Sequence, residues 1–329
     1  MGKLLEVNNN TLDSQAKISA QNSIILGLPK GDIGFVLAAP GTGKGYLCLS
    51  LCYELASDLK LLGLKVTETP QRCLYWPIED GVPVVAKRIK KHMNSFSKST
   101  QALIQQNFML WDSNQYISSD INDNDGHTEL NQLIEAAREF DVLIIDTIRE
   151  SVGPKDEVKD DKEIKFLLQK IAKAAGVAII VSHHLTKDAV KGKENITSVS
   201  GSGLSETLAN SRMQLYLECK KKGRASEELT YVSHIKHNYI EKDRAFNSLA
   251  CEWTDSDLLR LNSLPVHNNK KTLIREHIVE EEPTEIDMTK VALSESSFLL
   301  MEEQRESDSL LSKDDLELHK QFIDSKKDQ

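Results

Sequence analysis

Short apolar runs bounded by polar residues recur along the first two thirds of the chain, at Ile33 to Ala39, Cys73 to Pro77, Phe108 to Trp111, Val142 to Asp146 and Val177 to Ser182. They are rich in β-branched residues and too short for helices, so they predict strands buried on both faces. Between them the spacing changes. Ile164, Leu167, Leu168, Ile171 and Ala175 fall on one helical face closed by Gly176, and Tyr46 to Leu59 reads as a helix that places Cys48 and Cys52 in its core. Alternating strands and helices predict an α/β fold with a mostly parallel sheet flanked by helices. Beyond about residue 212, Met213 to Leu217, Thr230 to Lys236 and Leu249 to Trp253 follow one another through short polar connections. They predict antiparallel strands extending the same sheet. Between Met93 and His127 the chain is polar and irregular, with Asn107 to Trp111 its one strand-like piece, and a lid or adapter surface is expected there.

Composition divides the chain further. With 329 residues and 40% hydrophobic content there is enough apolar surface for a sizeable core. The net charge of −9 is concentrated at the C-terminus, where residues 265–329 hold 16 acidic against 9 basic side chains, leaving 34 against 32 elsewhere. The division expected is an N-terminal arm over 1–20, an α/β domain over 21–260, and an acidic tail over 261–329, disordered or loosely helical. The tail is read as solubilising, with a surface for replication-initiation partners as the other reading. No apolar run approaches a membrane span and no signal-peptide core is visible, so a cytoplasmic protein is expected. Five cysteines without a Cys-x-x-Cys pair suggest neither a disulfide framework nor a zinc site.

The chemistry gathers at strand ends. After the run beginning at Gly34, Ala39-Pro-Gly-Thr-Gly-Lys44 makes a glycine-rich turn into the helix that starts near Tyr46. This is a phosphate-binding loop, in which backbone N–H groups and a lysine hold phosphates and a terminal hydroxyl holds Mg²⁺. Two positions depart from the full pattern. Ala38 replaces the first glycine, and Gly45 replaces the hydroxyl residue. The nucleotide-binding positions are Ala39, Pro40, Gly41, Thr42, Gly43, Lys44, Gly45 and Tyr46. Val142-Leu-Ile-Ile-Asp146 ends in an acid that can hold Mg²⁺, or simply cap a helix. Glu79 and Asp80 end another strand, where Glu79 can polarise an attacking water and contribute to the metal site, or be a solvated acid. His183 and His184 end a third, and a γ-phosphate sensor fits them better than a metal site.

Taken in order these segments, with Ser200 to Arg212, resemble RepA-type hexameric plasmid replicative helicases within the broader RecA-like P-loop ATPases, over roughly residues 20 to 255. The resemblance implies ATP and Mg²⁺ as ligands, Lys44 on phosphate, Glu79 activating water, Asp146 as the Walker B acid, and His183 or His184 as sensor. It also implies that Arg212 is an arginine finger acting on a neighbouring subunit, and that Lys236 is a second interface cation. A plain surface arginine and a solvated strand lysine are the alternatives. Single-stranded DNA contact is expected on Thr186 to Ser202, with Lys187, Lys191 and Lys193, and with less force on Arg149 to Lys162, where Lys155, Lys159 and Lys162 mix with acids. Three functions follow: a ring-forming helicase or translocase of a plasmid or other mobile element, an ATP-controlled loader or recombination mediator without unwinding, and a nucleotide-binding scaffold.

Overall fold

A computed structural model describes residues 7–186, 197–221, 228–240 and 248–262. The chain begins with α1 (Asn9–Asn22) and a short hairpin of β1 (Ser23–Ile25) and β2 (Leu28–Pro29). Then come β3 (Ile33–Ala38), α2 (Lys44–Ala56), β4 (Cys73–Trp76), α3 (Val82–Met93), α4 (Lys98–Asn107) and β5 (Phe108–Leu110). The middle of the chain forms α5 (Asn124–Ala137), β6 (Val142–Ile145), α6 (Ile148–Ser151), α7 (Asp161–Ala175) and β7 (Ala178–His184). After α8 (Ser205–Asn210) follow β8 (Met213–Lys221), β9 (Glu228–His237), β10 (Leu249–Trp253) and β11 (Leu259–Leu261).

Nine strands form one sheet in the order β11-β10-β9-β8-β3-β7-β6-β4-β5. From β8 to β5 all pairs are parallel, while β9, β10 and β11 join antiparallel at the other edge. Strand alternation splits the core by face. Val36, Ala38, Tyr75, Ile144 and Ile180 pack on the side of α2, and Phe35, Leu37, Trp76, Ile145 and Val181 pack on the side of α5 and α7. Helix α2 is buried nearly all round, Cys48 and Cys52 included, because β-strands lie on one side and α4 on another. All five cysteines are free thiols.

The five parallel runs and the three later strands lie where their patterns put them, with three differences. The strand beginning at Met213 is parallel to β3, with Gly34 opposite Met213, so the antiparallel extension begins only at β9. The polar stretch after Met93 contains α4, whose pattern is weak because it buries only Thr100 and Ile104; Ser97 caps its N-terminus by accepting from the Thr100 N–H. The two-residue and three-residue strands β2, β1 and β11 carry too few residues for any periodicity. Of the tail expected over 261–329, Leu261 belongs to β11 and residues 263–329 lie outside the described residues.

A single side chain ties the edge of the domain together. Glu54, buried on α2, accepts from four consecutive backbone N–H groups, those of Leu62, Gly63 (2.9 Å), Leu64 (2.6 Å) and Lys65 (2.8 Å). The segment so held pairs in turn with both ends of the fold: Leu26 donates to the Leu64 carbonyl, Val66 to Ile24, and Leu261 to Leu61. Each orphaned buried donor costs about 1–3 kcal/mol. Glu54→Ala therefore lowers unfolding free energy by at least about 3 kcal/mol, read as a fall in the urea midpoint; a midpoint within error of the parent would refute this account of the segment.

Candidate functional site

Parallel strands deliver their C-terminal ends to one edge of the sheet, and that edge carries the chemistry. The turn after β3 needs left-handed backbone at Gly41 and Gly43, with φ of 73° and 102°. Thr42 closes the turn by donating its N–H (3.3 Å) and hydroxyl (2.8 Å) to the Ala39 carbonyl. Gly43 is the N-cap of α2 and offers no side-chain acceptor, so the N–H groups of the first turn, at the positive end of the helix dipole, lack a side-chain cap. An anion fits there.

Lys44 opens α2 and is almost buried, with Nζ 3.0 Å from His184 Nδ1. Burial lowers its pKa, opposed by the charges of Asp146 and Glu79. Burial also lowers the pKa of His184, helped by Lys44 and Arg149, so the ring is neutral at pH 7 and accepts from the lysine ammonium. Asp146, one residue beyond β6, is buried on the same face. Its carboxylate accepts from Tyr75 Oη at 2.6 Å and from the Ser182 hydroxyl. Burial raises its pKa against those two hydrogen bonds. Glu79 is exposed at the end of the β4 run, and its backbone N–H donates to the Asp146 carbonyl at 3.0 Å.

The two histidines part company. Ala38 pairs with His184 and Leu37 with His183, so pleating sends His184 to the α2 face and His183 to the opposite one. There His183 Nε2 lies 2.7 Å from the Ser202 carbonyl, its ring meets Phe35 edge-on at 6.5 Å, and Nδ1 faces Glu157 at 3.9 Å. His183 is thus held away from the Lys44 site, and of the two histidines only His184 faces the lysine.

Arg212 lies at the other end of the sheet. Its N–H donates to Ile33 O at the start of β3, its Nε is 3.1 Å from Asp32 Oδ1, and its guanidinium covers the Tyr239 ring at 5.2 Å. At about 3.3 Å per residue, the length of β3 separates it by roughly 15–20 Å from its own chain's phosphate loop. Lys236 is engaged as a helix cap, donating to the Leu208 (3.1 Å) and Ala209 carbonyls at the end of α8. Lys155 is paired with Glu163 at 2.7 Å, whereas Lys162 is exposed. Lys187, Lys191 and Lys193 lie outside the described residues.

Several members of the site left no trace in spacing. Tyr75 and Ser182 sit inside apolar runs, where a hydroxyl reads as incidental. Arg88 on α3 pairs with Asp80 at 2.5 Å and stacks on Tyr46 at 4.9 Å. A Cβ at Gly45 would fall 3.0 Å from Asp146 Oδ2 and 3.6 Å from the Arg88 guanidinium. Gly45 is therefore the position that lets the Asp146 carboxylate approach the helix start. The hard oxygen donors of Asp146, adjoined by exposed Glu79, suit Mg²⁺, which is commonly held by one or two carboxylates together with substrate phosphates.

A model of the AAA domain family matches residues 4–190 of the chain. Among solved structures, the ATPase domain of G40P aligns with a TM-score of 0.54 at 13% identity, covering 79% of this chain and 99% of that one. A KaiC-like protein from Pyrococcus horikoshii OT3 aligns at 17% identity and a TM-score of 0.49, covering 73% and 93%. The curated proteins contain no match. The alignment with the G40P domain agrees with a RecA-like arrangement of the sheet.

Burial pushes the His183 pKa down to about 4 from the ordinary 6.5. A base so depressed stabilises the fold fully above pH 6.5 and loses that contribution as pH falls towards 4, a span equivalent to roughly 3 kcal/mol. His183→Gln removes this component, and urea midpoints of parent and variant measured from pH 7 to pH 4 will converge at the acid end. Parallel curves would contradict it.

Proposed function

The chain belongs to the AAA domain family of P-loop ATPases, and from that premise we propose that it hydrolyses ATP in a ring of like subunits that moves on single-stranded DNA, as the RepA-type plasmid helicases it resembles do. The observation that carries the reading is the convergence of the uncapped α2 N-terminus, Lys44, Asp146 and His184 on one sheet edge.

The α2 N–H groups and Lys44 bind the phosphates, Lys44 exchanging its neutral His184 partner for phosphate oxygens. Asp146 and Glu79 are the residues that would hold Mg²⁺, which supplies neutralisation of phosphate charge when bound. Glu79, exposed to solvent, orients a water whose oxygen attacks the γ phosphorus; the bond to the β-phosphate oxygen breaks and the water's proton passes to the Glu79 carboxylate. His184, released from Lys44, is free to donate or accept at the γ phosphate. The position of Arg212 supports a role in trans. It is too far from its own loop, and a head-to-tail ring would bring one chain's arginine to the next chain's phosphates.

Lys44→Ala abolishes hydrolysis. Arg212→Ala does the same while leaving ATP binding intact, and mixing the two inactive chains restores turnover at roughly a quarter of the interfaces of a randomly assembled ring. Mixtures that stay inactive would remove the arginine from its proposed role. Hydrolysis stimulated by single-stranded DNA without strand separation would instead favour the loader or mediator reading.

Gly45→Ser offers Mg²⁺ the missing hydroxyl but brings its Cβ 3.0 Å from Asp146 Oδ2. The carboxylate gives way by a few tenths of an ångström, within the reach of a side-chain adjustment, so the half-saturating Mg²⁺ concentration for hydrolysis shifts downward. An unchanged Mg²⁺ titration would mean that position 45 does not face the metal.

A further inference from the structure

The phosphate loop touches an aromatic group that phosphate binding does not require. Trp253, the last residue of β10, lies directly against the loop: a Cβ on Gly43 would stand 2.6 Å from the indole. Tyr46, two residues into α2, meets the same indole edge-on, with ring centroids 5.8 Å apart and planes at 88°. Both rings are fixed. Trp253 Nε1 donates to the buried Thr230 hydroxyl at 2.9 Å, and Arg88 covers the Tyr46 ring. Yet Trp253 remains 37% exposed and Tyr46 half-buried, in a chain whose other two tryptophans are more enclosed.

We propose that Trp253 and Tyr46 form the stacking platform for the base of the bound nucleoside triphosphate. The proposal rests on the phosphate-loop reading given above. With the phosphates at the start of α2, the base end of the ligand must leave the loop, and the aromatic pair adjoins the loop at Gly43 and the first turn. The chemistry of the pair also sets a specificity. The indole N–H, the one donor on that ring, is already committed to Thr230, so Trp253 offers a π face and no hydrogen bond to read a base edge. Stacking rewards ring area and tolerates base identity. Purine triphosphates should therefore bind alike, and pyrimidine triphosphates less well.

Binding of ATP, GTP, CTP and inorganic tripolyphosphate to the full-length chain, measured calorimetrically with the parent, Trp253→Ala and Trp253→Phe, tests this. Trp253→Ala is expected to weaken ATP and GTP by about ten- to a hundredfold and CTP less, with tripolyphosphate unchanged. Trp253→Phe, which keeps a ring but loses the Thr230 bond, should retain most of the affinity and guards against misfolding as the cause. Equal losses for tripolyphosphate and ATP would show that the indole only shapes the loop, and unchanged ATP binding in the alanine variant would show that the base lies elsewhere; either overturns the platform. A parent chain that binds neither tripolyphosphate nor ATP would sink the phosphate-loop reading itself, and the platform with it.

Discussion

A carboxylate shut away from water must be given hydrogen-bond donors, and Asp146 takes one from the strand on each side of its own. Tyr75 comes from β4 and Ser182 from β7, the two neighbours of β6, so the acid knits three strand ends together on the face of α2. The registers that place Trp76 opposite Ile145 and Ile145 opposite Val181 are what bring those hydroxyls within reach. A slip of one residue in any of these strands would turn a hydroxyl to the wrong face and leave a buried charge short of a donor, an error costing several kcal/mol. The position of Lys44 depends on the same edge, because its ammonium lies in the field of Asp146 and Glu79 and against His184.

Most of the framework was legible because a parallel sheet covered on both faces writes its strands as unbroken apolar runs. Val142 to Ile145 and the apolar part of Val177 to Ser182 are such runs. The loop at Ala39 to Lys44 was legible for a different reason, since glycines at Gly41 and Gly43 answer a left-handed backbone that few other residues adopt. What stayed hidden were contacts between elements. Helix α4 buries two side chains and so lacks a stripe, and β11 is three residues of edge strand. The choice between His183 and His184 could not be made from adjacent residues in a line; it takes the pleat and the register against β3 to say which faces the lysine.

The near balance of charge outside the C-terminal region also takes on structure. Many of its cations are spoken for locally. Lys30 pairs with Asp141, Lys155 with Glu163, Lys165 with Glu206, and Lys236 caps α8. Arg212 is held by Asp32 and Tyr239 at the opposite end from the phosphate loop. The described surface is therefore not a general cationic footprint, and attraction for a polyanion has to come from particular loops.

Four backbone N–H groups converging on Glu54 have a consequence for how the gene for this fold can vary. The stretch from Leu61 to Val66 is bound at once to α2, to the N-terminal hairpin at Ile24 and Leu26, and to β11 at Leu261. A connection anchored on three sides has a fixed count of residues, so an insertion or deletion there would misalign the first and last strands together. The turn at Ile121, exposed and closed by hydrogen bonds from Asn122 and Asp123 to Asp120, carries no such obligation. Two connections between elements thus differ in kind: one is a spacer of set length, the other is open to being lengthened.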